Sequence, residues 1–253
     1  WGLDLLLGHR SWWTAGLGFL AGLVMVALLY WVMMASPINR SVETKAFEVP
    51  AGAAQQADVK VEVVAGKLSL QDGAVQGNLA DGQAELLDGE GLNADYAVSG
   101  DTGTLTLQKE SDNDVQYWLP GASNNYDWQV NLTDSLPMDV TSHVVMGEQI
   151  ADLSALKLDD VELELVMGRN VVTLPAQADG LVNVSMVMGE TIVYVPQDTP
   201  VSIELDTVIT ALSYPDNFTR SGDVLLSPNG DEAGALQVKL ENVMGSLQIR
   251  YME

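Results

Sequence analysis

Val161-Glu-Leu-Glu-Leu-Val-Met-Gly168-Arg-Asn-Val-Val-Thr-Leu-Pro175 is followed, 21 residues on, by Val182-Asn-Val-Ser-Met-Val-Met-Gly189-Glu-Thr-Ile-Val-Tyr-Val-Pro196. Before each glycine, apolar and polar side chains alternate. Val161, Leu163, Leu165 and Met167 fall on one face and Glu162 and Glu164 on the other, and Val182, Val184, Met186 and Met188 repeat the apolar set. After the glycine the alternation resumes with Val172 and Leu174, then Val193 and Val195. Period two marks a half-buried strand, and a fixed repeat marks a stack of similar units.

The central phrase recurs outside this pair, as Val145-Met-Gly147-Glu148 and Val243-Met-Gly245-Ser246. Gly66-Lys-Leu-Ser-Leu70 and Gly103-Thr-Leu-Thr-Leu107 carry only its second half, and Thr210-Ala-Leu-Ser-Tyr214 is a copy with threonine in the glycine's place. Together they predict about seven short rungs, with Asp216 to Glu232 as an excursion. Gly66, Gly103, Gly147, Gly168, Gly189 and Gly245 are the expected structural corners, where a side chain would crowd the next rung. Twenty-one residues is also a multiple of the heptad, but Pro175 and Pro196 would break a continuous helix at matching places. A leucine-rich repeat would need an asparagine after its Leu-x-Leu strand, and none stands there. The expectation is an all-β chain whose residues 59–253 form a parallel β-solenoid, the rungs burying Val, Leu and Met against one another.

One transmembrane α-helix is predicted ahead of the solenoid, over residues 11–36. No charge occurs from Ser11 to Asn39, and Trp12 to Ala35 is an apolar run. A helix over that run would rise roughly 36 Å at about 1.5 Å per residue, enough for a hydrocarbon core of about 30 Å. Trp12, Trp13, Tyr30 and Trp31 stand near its ends, where aromatic rings favour the water interface. The run is too long for the apolar region of a cleaved signal peptide. Gly18 and Gly22 form a small-xxx-small face suited to helix packing. Residues 1–10 read as the tail of an upstream membrane helix. Residues 37–58, with Pro37, Pro50 and Gly52, read as a linker.

Charge is divided unevenly. Residues 41–253 hold 9 of the 11 Lys and Arg and 34 of the 35 Asp and Glu, a net charge of −25. Such a surface repels phosphate backbones, so no nucleic-acid partner is expected, and cations or basic surfaces are the attractions left. Cysteine is absent, which removes disulfides, thiolate metal sites and cysteine nucleophiles.

Catalytic, cofactor and metal sites are not expected. His143 could be imagined in a relay with Ser142 or Ser154 and Asp152, but there is no nucleophile elbow and the other histidine, His9, adjoins the apolar run. The glycines precede strands rather than helices, unlike phosphate-binding loops. Asp112-Asn-Asp114, Asp159-Asp160 and Asn229-Gly-Asp-Glu232 lack the spacing of calcium loops and read as solvated turns. Tyr117, Trp118, Tyr126 and Trp128 crowd four large rings around a Pro-Gly turn and are the candidate partner contact.

Taken in order, these features resemble the bacterial membrane-anchored toast-rack proteins, relatives of the envelope-stress regulator LiaF. The resemblance is carried by Leu5-Leu-Leu-Gly-His-Arg-Ser-Trp-Trp13, by Gly103-Thr-Leu-Thr-Leu107, by Trp118-Leu-Pro-Gly121 through Tyr126-Asp-Trp128, and by the serial glycines. It implies a right-handed solenoid on the extracytoplasmic side of a cell membrane, with no enzymatic activity; the single pass is read from the one apolar run, where relatives tend to carry several membrane helices. It differs in having Val-Met-Gly where relatives show Gly-Ala-Gly. The expected function is a structural or protein-interaction module facing another envelope or membrane protein. The alternatives are a LiaF-like regulator of a sensor kinase and an accessory subunit of a bioenergetic or transport complex.

Overall fold

The computed structural model describes residues 41–110, 126–178 and 180–252. The expected membrane helix, Gly18, Gly22, Tyr117 and Trp118 lie outside these residues. Within them the fold is all-β: a 13-stranded mixed sheet. Its strands are β1 (Val42–Pro50), β2 (Gln56–Asp72), β3 (Asn78–Leu87), β4 (Gly91–Ser99), β5 (Thr102–Glu110), β6 (Asp127–Leu132), β7 (Met138–Asp152), β8 (Leu158–Thr173), β9 (Leu181–Val195), β10 (Val201–Ser213), β11 (Thr219–Ser221), β12 (Val224–Leu226) and β13 (Leu236–Tyr251).

Six long strands form the parallel part, in the order β2, β7, β8, β9, β13, β10. Their register stacks Gly66, Gly147, Gly168, Gly189 and Gly245 in one column, closed by Thr210. Each of the five glycines has a positive φ, from +131° to +142°. A Cβ on Gly147, Gly168, Gly189 or Gly245 would overlap the carbonyl oxygen of the glycine before it in the column. Glycine is therefore required twice over, by backbone conformation and by the approach of the neighbouring rung.

A seventh rung is divided between two strands. β5 lies along the first half of β2, and β6 along the second half, beside Lys67–Asp72. Gly103 is consequently not a corner. It pairs with Ala57 near the start of β5, has no positive φ, and a Cβ there would press on the Tyr96 hydroxyl.

Three expectations are corrected. The sheet is mixed, because antiparallel pairs cover its ends: β1–β3 and β3–β6 on one side, β4–β5 beside them, β10–β12 and β11–β12 on the other. Strands that cover an end need not repeat the rung pattern, so no glycine phrase announced them. Residues 42–50, expected in the linker, form β1, in which Phe47 and Val49 are buried. The copy at Thr210 is not the rung after Gly189; β13 lies between β9 and β10.

The core runs as columns through the rungs. Leu70, Ala151, Val172, Val193 and Ile249 make one, all buried, and each large aliphatic side chain so removed from water contributes about 1.5–3 kcal/mol. A second column interrupts this with polar groups: Leu68, Gln149, Asn170 and Thr191. Gln149 donates to the Ser142 hydroxyl at 2.8 Å, while the side-chain amide of Asn170, fully buried, has no hydrogen-bond partner among the described residues.

Candidate functional site

The strand alternation resets just before every corner, and this reset creates the surface of interest. With strict alternation Met167 and Met188 would point inward, as the sequence suggested. They are instead 42% exposed, beside exposed Val166 and Val187. The chain bends at the glycine, so the two preceding residues sit on the outside of the corner together. Rung by rung this places Val64, Met146, Val166 with Met167, Val187 with Met188, Val243 with Met244, and Val208 with Ile209 on the outside. At about 4.8 Å per strand spacing, six rungs carry this ridge over roughly 24 Å.

An ion-pair ladder flanks the ridge on the other side of the glycines. The residue after each corner is Lys67, Glu148, Arg169 or Glu190 on four successive rungs. Arg169 donates to Glu148 at 3.1 Å and to Glu190 at 3.2 Å, and Lys67 lies 4.0 Å from Glu148. Gln248 on the next rung donates to Glu190 at 2.8 Å. The alternation of sign lets acidic side chains stack at strand spacing without facing one another. The spacing of 21 that aligned the glycines could have revealed it, since the next residue shares the register.

The aromatic candidates divide. Tyr126 and Trp128 are buried in the hydrophobic core, Trp128 pairing with Leu68 and Ala84 across neighbouring strands, so neither presents a ring to a partner. Tyr126 takes the position beside Gly66 at the divided rung, where its carbonyl accepts from the Lys67 N–H at 2.8 Å.

The imagined relay is not assembled. Ser142 and His143 are neighbours in one strand and point to opposite faces: Ser142 inward to Gln149, His143 outward, its Nδ1 3.6 Å from Glu164. Ser154 and Asp152 bond to each other in a turn at 2.7 Å. Asp160 accepts from the Leu181 N–H at 2.8 Å, and Asp139 accepts from the Asp160 N–H at 2.9 Å. These carboxylates secure the starts of successive rungs. Asn229 and Glu232 close a turn by a backbone bond of 3.1 Å, Asn229 with φ of 62°.

The family described as "N-terminal domain of toast_rack, DUF2154" matches residues 38–193. No curated protein matches the chain. Among solved structures, one from Clostridium sporogenes ATCC 15579, described as "a putative cell adhesion protein", is 18% identical, with 84% of this chain and 100% of that chain covered and a TM-score of 0.73. That likeness shows the shared fold. A second, from Bacteroides fragilis NCTC 9343 and described as "a putative adhesin", is 11% identical over 84% of this chain and 97% of that one, with a TM-score of 0.31, too low to carry an argument.

Proposed function

The chain belongs to the toast-rack family, and from that membership we propose that it is a non-enzymatic, membrane-anchored interaction module. In this reading residues 11–36 cross a cell membrane once, and the stack of rungs stands on the extracytoplasmic side as a right-handed solenoid, the hand that parallel crossovers overwhelmingly take. The observation that carries the reading is the Val-Met ridge. A surface that exposes aliphatic or methionine side chains on six successive rungs, as Val-Met pairs on three of them, is laid out for a protein contact, and methionine adapts to partners of varied shape. The adhesive description of the Clostridium sporogenes neighbour fits such a role.

Two measurements test it. The full chain should stay with membranes after alkaline carbonate extraction, and release into the soluble fraction would refute the anchor. Met146, Met167 and Met188 replaced together by Gln should leave the far-ultraviolet circular dichroism spectrum intact while abolishing cross-linked adducts formed by a photoreactive group at position 166. Adducts that persist unchanged would refute the ridge as the contact. The LiaF-like resemblance supports a narrower version, restraint of a sensor kinase, in which the same triple variant should raise the kinase's output in cells.

A further inference from the structure

The parallel stack ends at β10, and this last rung is covered over only half its length. β12 pairs with Ser202, Ile203 and Glu204, and the Leu205 N–H donates to the Asp223 carbonyl at 2.8 Å. Beyond Leu205 the outer backbone edge of β10, from Asp206 to Ser213, has no strand beside it among the described residues. Exposure reports the same gap. Val208 and Ile209 are 70% and 65% exposed, whereas Val243 and Met244, at the same places on the adjoining rung, are 45% and 42% exposed. The excess is the surface that one more rung would cover.

The chemistry of this edge singles out its occupant. Sheets commonly guard an open edge with charge or proline. β1, the edge strand at the far end, does so with Glu43, Lys45, Glu48 and Pro50, but the open edge of β10 has one charge, Asp206 at its start, and Thr207-Val-Ile-Thr-Ala-Leu-Ser213 has neither charge nor proline in a chain of net charge −24. A second copy adding its own end head to tail would need a free parallel edge at the far end. That end is covered by the antiparallel β3, β1 and β4. A two-fold arrangement needs only the one open edge, used by both copies.

We propose that β10 is a homodimer edge: Asp206–Leu212 of two copies pair antiparallel about a two-fold axis at Ile209, joining two ridges into one. In this register Asp206 faces Leu212 of the second copy, so no two carboxylates meet, and the pairing stops where the β12 hairpin begins. It does not depend on the membrane anchor.

The test uses the full chain in detergent and reads its mass by analytical ultracentrifugation with the detergent contribution subtracted. A dimer is expected for the unaltered chain. Val208→Lys with Ile209→Lys, two exposed positions, should raise the dimer dissociation constant by about tenfold or more, with the circular dichroism spectrum unchanged. Gly18→Ile with Gly22→Ile should leave the dimer intact, which separates the strand edge from the helix face. Because the chain has no cysteine, Ile209→Cys should give an oxidant-dependent disulfide dimer and Lys45→Cys on β1 should not. A monomeric unaltered chain, a dimer indifferent to the lysine pair, a dimer lost with the glycine pair, or failure of position 209 to cross-link would each overturn the proposal.

Discussion

Gly168 concentrates what the fold asks of single residues. Its φ of +142° and the Gly147 carbonyl beside it leave no place for a methyl group. Gly168→Ala should cost about 3 kcal/mol or more in urea unfolding, strain and overlap together. Gly73, with φ of +114° and open space around it, should lose roughly 1 kcal/mol on the same change, from strain alone. An equal loss at both sites would show that the column tolerates a wider corner. Asn170 presents the opposite case, a buried amide without partners among the described residues, between Gln149 and Thr191. Asn170→Leu should stabilise the domain by about 1–2 kcal/mol, because an unsatisfied amide costs more to bury than an aliphatic group of similar size. A loss of stability would instead assign the amide a structural role. Glycine marks these corners in the sequence, though not uniquely, since Gly103 opens a similar phrase and is not a corner. The direction of Met167 was not legible there: alternation gives a side chain's face only while the strand runs straight, and the bend at Gly168 resets it.

At the scale of elements, rungs hold their neighbours by aligned positions, and the ladder of Lys67, Glu148, Arg169 and Glu190 shows how charge takes part. Arg169→Glu would set three carboxylates in a row on β7, β8 and β9. The expected loss is about 1 kcal/mol at low salt, since the side chains are half exposed, and it should shrink as added salt screens the repulsion. Thermal unfolding at several ionic strengths checks both parts, and a loss independent of salt would point to packing instead. Rungs with the full phrase could be read from the sequence as parallel neighbours. β1, β3, β4, β11 and β12 could not, because each pairs antiparallel with its neighbours, and nothing in a local pattern says which distant strand it will meet.

Over the whole molecule, sequence order and spatial order part company at one place. β13 stands between β9 and β10, so the 21-residue spacing from Gly189 to Thr210 suggested an adjacency that the fold does not have. Repeat proteins ordinarily lose a terminal rung with little harm to the others. A chain stopped at Ala235 should behave differently, because β9 and β10 both lose their partner. Its urea transition should become broad and non-cooperative, with protease cleavage within residues 196–235 well below the midpoint. A sharp transition with only a smaller slope would indicate that β2, β7, β8 and β9 stand alone.

The interposed β13 also orders events in time. During synthesis β10 leaves the ribosome before β13, and it cannot settle against β9, since that berth belongs to a segment not yet made. Completion of the sheet therefore waits until residue 251 has emerged, and until then the nascent domain carries an open seam between β9 and β10.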